Sequence, residues 1–160
     1  MPTTGSLEKL VVDLPENDQG AAELLWALSL GEGVFKLQNV PIWAYGLAFD
    51  DIVEAVLQND ERFHYTRIRH RSGLLTVRIA GPEAPRSEFE ELTNSLAARA
   101  VAAEHFSDVY VAFAIAADDY NACFRSSKTP KRPALFSLKL LTMKRSVRPS
   151  KSDVFCLYIG

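Results

Sequence analysis

The sequence predicts an α+β fold: an N-terminal β-meander curling into a small barrel-like sheet, followed by a βαβ-type lobe with one long and one short helix. Three observations predict it. Turn residues cut the first eighty positions into short apolar runs at strand spacing. From Ser87 onward, apolar residues recur at helical spacing. Val109–Ala116 is apolar at both parities, as a central strand covered on both faces must be. At 160 residues the chain suits a single domain, 1–160, with sub-lobes over 7–80 and 85–160.

The elements follow in order. Leu7–Leu14 is rich in β-formers and reads as the first strand. Pro15–Gly20 is a polar loop. Ala21–Leu30 fits helix or strand by pattern alone. The turn Gly31-Glu32-Gly33 favours a hairpin with Val34–Val40, which makes Leu24–Leu30 a strand. Pro41 ends that run, because it cannot donate to a ladder. Ile52–Val56 is the next strand. Gln58-Asn59-Asp60 turns the chain into Arg62–His70, which alternates with Phe63 and Tyr65 on one face and His64, Thr66 and Ile68 on the other. Ser72-Gly73 leads into a strand over Leu74–Ala80.

Gly81–Pro85 marks the boundary between sub-lobes. Ser87 with Glu90 forms a capping box for a helix over Glu88–Ala103, whose apolar face is Phe89, Leu92, Leu96, Ala100 and Ala103. His105 then caps the helix C-terminus. Asp118 starts a shorter helix through Tyr120, Cys123 and Phe124. Lys128–Pro133 is a basic loop, and Ala134–Met143 and Val154–Ile159 read as closing strands. The strand–helix alternation from Leu74 onward requires a crossover connection.

Composition sets outer limits on function. A hydrophobic fraction of 48% and a charged fraction of 24% are those of a globular protein. No apolar run approaches the roughly 18 residues that cross a bilayer. The N-terminus lacks a positive charge followed by an apolar core, so a cytoplasmic protein is expected. Cys123 and Cys156 have no CxxC spacing and read as buried thiols, with a disulfide as the alternative. The net charge of −2 hides an asymmetry. Residues 1–60 hold ten acids against two lysines, a net −8, and residues 121–160 hold nine bases against one acid, a net +8. Such a split presents two oppositely charged faces or neutralises itself internally.

No catalytic or cofactor motif stands out. GxSxG is absent, Gly31-Glu32-Gly33 lacks the third glycine of a dinucleotide loop, and no His/Cys/Asp spacing suits zinc. No cofactor or metal is expected, and the chain reads as a non-enzyme. The densest polar cluster is His64–Ser72. In it His64, Arg67, Arg69, His70 and Arg71 form a possible phosphate- or RNA-binding strand, against the plainer reading of a solvated face. On a regular strand His64 and His70 face the same way about 20 Å apart, too far to share one phosphate. Trp26, Trp43 and Tyr45 are expected in the core; the alternative makes Trp43 and Tyr45 interface anchors.

Five segments carry a resemblance. They are Glu23-Leu24-Leu25-Trp26-Ala27, Leu37-Gln38-Asn39-Val40-Pro41, Ala44-Tyr45-Gly46, Asp51-Ile52-Val53 and Arg71–Arg78. In this order and spacing they resemble an uncharacterised bacterial family known only as a domain of unknown function. The resemblance is strongest over residues 7–80. One departure is Asp50, where that family carries glycine. The family implies no active site. In size, class and charge layout the chain also resembles, more loosely, the immunity proteins of contact-dependent growth inhibition. That likeness implies a protein that binds and neutralises a cognate toxin domain. Asp50, Asp51, Glu54 and Asp60 would then steer a basic partner, with Trp43 and Tyr45 as anchors.

Overall fold

A computed structural model describes residues 3–14, 21–80, 87–126 and 155–159. Its first five strands are β1 (Leu7–Asp13), β2 (Ala22–Gly31), β3 (Val34–Leu37), β4 (Ile52–Leu57) and β5 (Phe63–His70). They form a closed barrel in chain order, every sequential pair antiparallel. A five-stranded meander returns with its first and last strands pointing the same way, so the closing contact of β1 with β5 is parallel. Its core is Leu10, Leu25, Phe35, Leu37 and Val53, with the Phe35 and Phe63 rings 5.0 Å apart.

The hairpin choice holds, with its second strand ending at Leu37 rather than Val40, and its turn needs three consecutive residues with positive φ. Gly33 is fixed twice over: φ is +75°, and a Cβ there would sit 3.0 Å from the Ala55 carbonyl. Strand β5 departs from the alternation expected of it. Its eight residues face the six of β4 through two register shifts, which leave Thr66 and Arg69 as extra residues. The first bulge reverses the phase. Ile68, expected beside His64 and Thr66, instead packs on the barrel core with Phe63 and Tyr65.

The second lobe comprises β6 (Leu74–Ala80), α1 (Ser87–Ala97), β7 (Ala102–Ser107), β8 (Tyr110–Ala116), α2 (Ala117–Ser126) and β9 (Phe155–Ile159). Its sheet runs β7-β8-β6-β9, all antiparallel. This is a split βαβ-βαβ arrangement, in which each helical connection joins two parallel strands with a third between them. The chain leaves the barrel at Arg71–Gly73. Strand β6, grouped with residues 7–80 by the sequence reading, is a central strand of the second sheet.

Helix α1 is shorter than expected. It stops at Ala97, and residues 102–107 form β7 in place of a final helical turn. Alanine-rich sequence favours helix by propensity. The edge of β8 offers more, because Val101 donates to the Ala114 carbonyl at 2.8 Å and β7 pairs along β8. His105 is therefore an exposed strand residue and caps no helix. Strand β8 is covered on both sides as expected. Val111, Phe113 and Ile115 face Phe89 and Leu96 of α1. Ala112 and Ala114 face Val40, Ile42 and Phe49 of the segment that joins β3 to β4. The expected strand over 134–143, the basic segments 128–133 and 139–151, and the side chains of Cys123 and Cys156 lie outside the described residues.

Candidate functional site at the junction of barrel and sheet

The β3–β4 connection, residues 38–51, lies between the two lobes and has no ladder of its own. Its buried backbone groups must find partners elsewhere. Side chains from both lobes supply them. Glu23, an inward residue of β2, accepts from the amides of Ile42, Trp43 and Ala44 at 2.7, 3.0 and 2.6 Å. Arg78 of β6, only 1% exposed, donates through Nε to the Ile42 carbonyl and through Nη2 to the Ala44 carbonyl, both at 2.7 Å. Thr76 donates to the Leu47 carbonyl at 2.8 Å. Arg71 donates to the Gly46 carbonyl at 2.5 Å.

The segment held this way presents aromatic rings. Trp43 stacks on Tyr110 of β8 at 5.2 Å and meets the edge of Phe106 of β7 at 4.9 Å. Tyr45 lies over the Arg78 guanidinium, 5.0 Å from centroid to Cζ. Trp43, Tyr45 and Phe106 are 39%, 40% and 60% exposed. Aromatic area on a rigid backbone is the usual material of a binding hot spot. Burial pushes the Tyr110 hydroxyl's pKa up and the Arg78 guanidinium's down. The guanidinium shift is opposed by Tyr110, Tyr45 and Glu23.

The acidic residues expected to steer a partner are mostly engaged within the chain. Asp51 is fully buried, and its carboxylate accepts from the amides of Ala48 at 3.0 Å and Ser72 at 2.7 Å. It serves the fold and presents no charge to solvent, so it leaves the steering set. Glu54 receives both arms of Arg67 at 2.7 and 3.0 Å, and Asp60 bonds His64 at 3.0 Å. Asp50 pairs with Lys36 at 3.1 Å. Glu54 thus pairs with Arg67 across the β4–β5 ladder, and Asp60 bonds His64 from the turn between the two strands. Arg69 and His70 remain exposed on β5, and Arg71 leans back toward Gly46 and Asp51.

Trp26, expected in the core, faces outward from β2 with Lys9 Nζ 4.7 Å above its ring. The strand's inward phase belongs to Glu23, Leu25, Ala27 and Ser29. His105 borders a small cleft of about 160 Å³ between α1 and the β7–β8 hairpin, with Glu90, Asn94 and Asp108. Among the described residues no group of three or more His, Cys, Asp or Glu could hold a metal, and no helix is long and apolar enough to cross a membrane.

The sequence reading missed Glu23, Arg78, Phe106 and Tyr110 as members of one site. Glu23 and Arg78 were within the segments that carried the family resemblance, but nothing local joins residues 55 positions apart. The residues of those five segments converge here: Glu23, the 37–46 connection, Asp51, Arg71, Ser72 and Arg78.

A family model described as a domain of unknown function, DUF4265, matches residues 23–123, from the clamp carboxylate through β8 into α2. The fold is similar to the crystal structure of a hypothetical protein from Neisseria gonorrhoeae, at a TM-score of 0.63 and 20% identity. The match covers 75% of this chain and 82% of that one. At that identity the likeness is one of fold alone. No curated protein matches.

Proposed function

The chain belongs to the DUF4265 family, a domain of unknown function, and we propose that it acts by binding another protein rather than by chemistry. The observation that carries this reading is the exposed aromatic patch, in which Trp43 and Tyr45 lie on a segment that Glu23 and Arg78 hold from both sides and Phe106 joins them from β7. Exposed rings on a mobile loop would lose entropy on binding. Rings on a clamped segment lose little, which favours tight association.

The most concrete form of the proposal is a cytoplasmic immunity protein that occludes a cognate bacterial toxin domain. Size, fold class and the acidic first sixty residues support it. The internal pairing of Glu54 and Asp60 shifts the emphasis from electrostatic steering to aromatic anchoring.

Co-expression with the open reading frame immediately upstream tests the proposal. A stoichiometric complex, together with death of cells that express the upstream C-terminal domain alone, supports it. If instead the purified chain retains RNA, and joint replacement of Arg67 and Arg69 by alanine releases it, the protein-binding reading fails in favour of RNA binding.

A further inference from the structure

Arg78 has one guanidinium nitrogen that the fold does not use. Its Nε and Nη2 hold the Ile42 and Ala44 carbonyls, while Nη1 is buried and finds no acceptor among the described residues. A buried charged donor left unpaired is costly, and a carboxylate is the acceptor that suits a guanidinium best. The surroundings are those of a recognition site. Tyr45 lies over the guanidinium, Tyr110 directs its hydroxyl at the Ile42 carbonyl 3.4 Å away, and Trp43 stacks beside it. Glu23 does not accept from Nη1, because its oxygens are taken by three amides on the far edge of the segment.

We propose that Arg78 Nη1 is the recognition donor of a carboxylate-binding site at the lobe junction, with Tyr45 as its movable wall, and that it receives an acidic side chain of the bound protein. This rests on the protein-binding reading and names the chemistry of the contact. Tyr45 is the side chain able to open the site. Tyr45 is 40% exposed, at the surface end of the site, and rotamer changes of surface side chains take picoseconds to nanoseconds. In the closed state the ring and the cation attract each other. An incoming carboxylate replaces that contact with a charge-assisted hydrogen bond to Nη1, while Trp43 and Phe106 bury the apolar area around it.

The test uses the intact chain and N-acetylglutamate amide as the probe, followed by NMR at the Arg78 Nε–H and Trp43 indole N–H. Neutral acetamide and chloride at matched ionic strength are the controls. The proposal expects saturable shifts at both signals with the carboxylate and none with the controls. Tyr45→Ala removes the movable wall without touching the clamp, and should tighten probe binding severalfold. Arg78→Lys keeps the charge but loses the fork, and should weaken it by about tenfold or more. Absence of saturable shifts in both the native chain and Tyr45→Ala overturns the proposal. So does a response to inorganic phosphate alone, which would assign the donor to phosphate rather than to an acidic side chain. Capture of a protein partner by a chain that ignores the probe would leave the binding role standing and remove this contact from it.

Discussion

Glu23 and Arg78 grip opposite edges of the same three residues: the carboxylate takes the amides of Ile42, Trp43 and Ala44, and the guanidinium takes the carbonyls of Ile42 and Ala44. One comes from the barrel and the other from the second sheet, so the clamp fastens the lobes through a shared strip of backbone. The two side chains do this without a direct ion pair.

Removing one jaw should therefore cost more than a surface contact would. Glu23→Ala leaves three backbone amides without their acceptor, and is expected to destabilise the chain by about 3 kcal/mol or more in urea unfolding. Glu23→Gln keeps one acceptor and should cost less. A double-mutant cycle with Arg78→Met should show coupling of at least about 1 kcal/mol. Additive losses would mean that the jaws act independently.

Asp50 sits at φ +64°, a conformation glycine adopts freely and other residues reluctantly. This explains how the chain accommodates its departure from the glycine usual in the resembling family. Asp50→Gly should leave thermal stability nearly unchanged, since released strain offsets the lost Lys36 pair. Asp50→Val should lower stability by roughly 1–2 kcal/mol. Equal stability for Gly and Val would show that backbone conformation is not the constraint there.

The β4–β5 ladder gives a pH prediction. The two hydrogen bonds from Arg67 hold the Glu54 carboxyl below the ordinary glutamate range, against partial desolvation. The bond to His64 does the same for Asp60. A carboxyl with a lowered folded pKa stabilises the fold above its unfolded pKa, and that contribution is lost as pH falls through the folded value. Carbon-detected NMR titration should place the Glu54 midpoint low, and Arg67→Met should return it toward the ordinary value. High salt should weaken both shifts, because the pairs are exposed. A midpoint indifferent to Arg67→Met would remove the pair as its cause.

Much of the barrel was legible because its signals are local: Gly31-Glu32-Gly33 sets a hairpin, although its second strand ends at Leu37, short of Pro41. The capping box at Ser87 likewise placed the start of α1. The end of α1 was not legible, since residues 98–103 are good helix formers and only pairing with Ala114 draws the chain into β7. Nor were the bulges in β5: alternation assigns Ile68 to the polar face, and only the register with β4 turns it inward. Trp26 was misplaced for a related reason. Strand β2 is apolar at both parities, so sequence cannot tell which face is inside. The site is the extreme case. Glu23 reads as one more acid on an acidic half of the chain until Ile42, Trp43 and Ala44 are folded onto it.

Phe106→Ala removes a ring that is mostly solvated, and should leave urea unfolding within about 1 kcal/mol of the native chain. Trp43→Ala also loses the Tyr110 stack and should cost somewhat more, with the fold retained by circular dichroism. A comparable substitution outside the patch, Trp26→Ala, serves as the control for losing an exposed indole.

The central claim is tested most directly by the equilibrium affinity of the upstream-encoded partner for the native chain, Trp43→Ala and Trp26→Ala. The account predicts a loss of about thirtyfold or more for Trp43→Ala, as for a hot-spot residue, and little change for Trp26→Ala. Undiminished affinity in the folded Trp43→Ala chain, or no complex with the native chain, would contradict it.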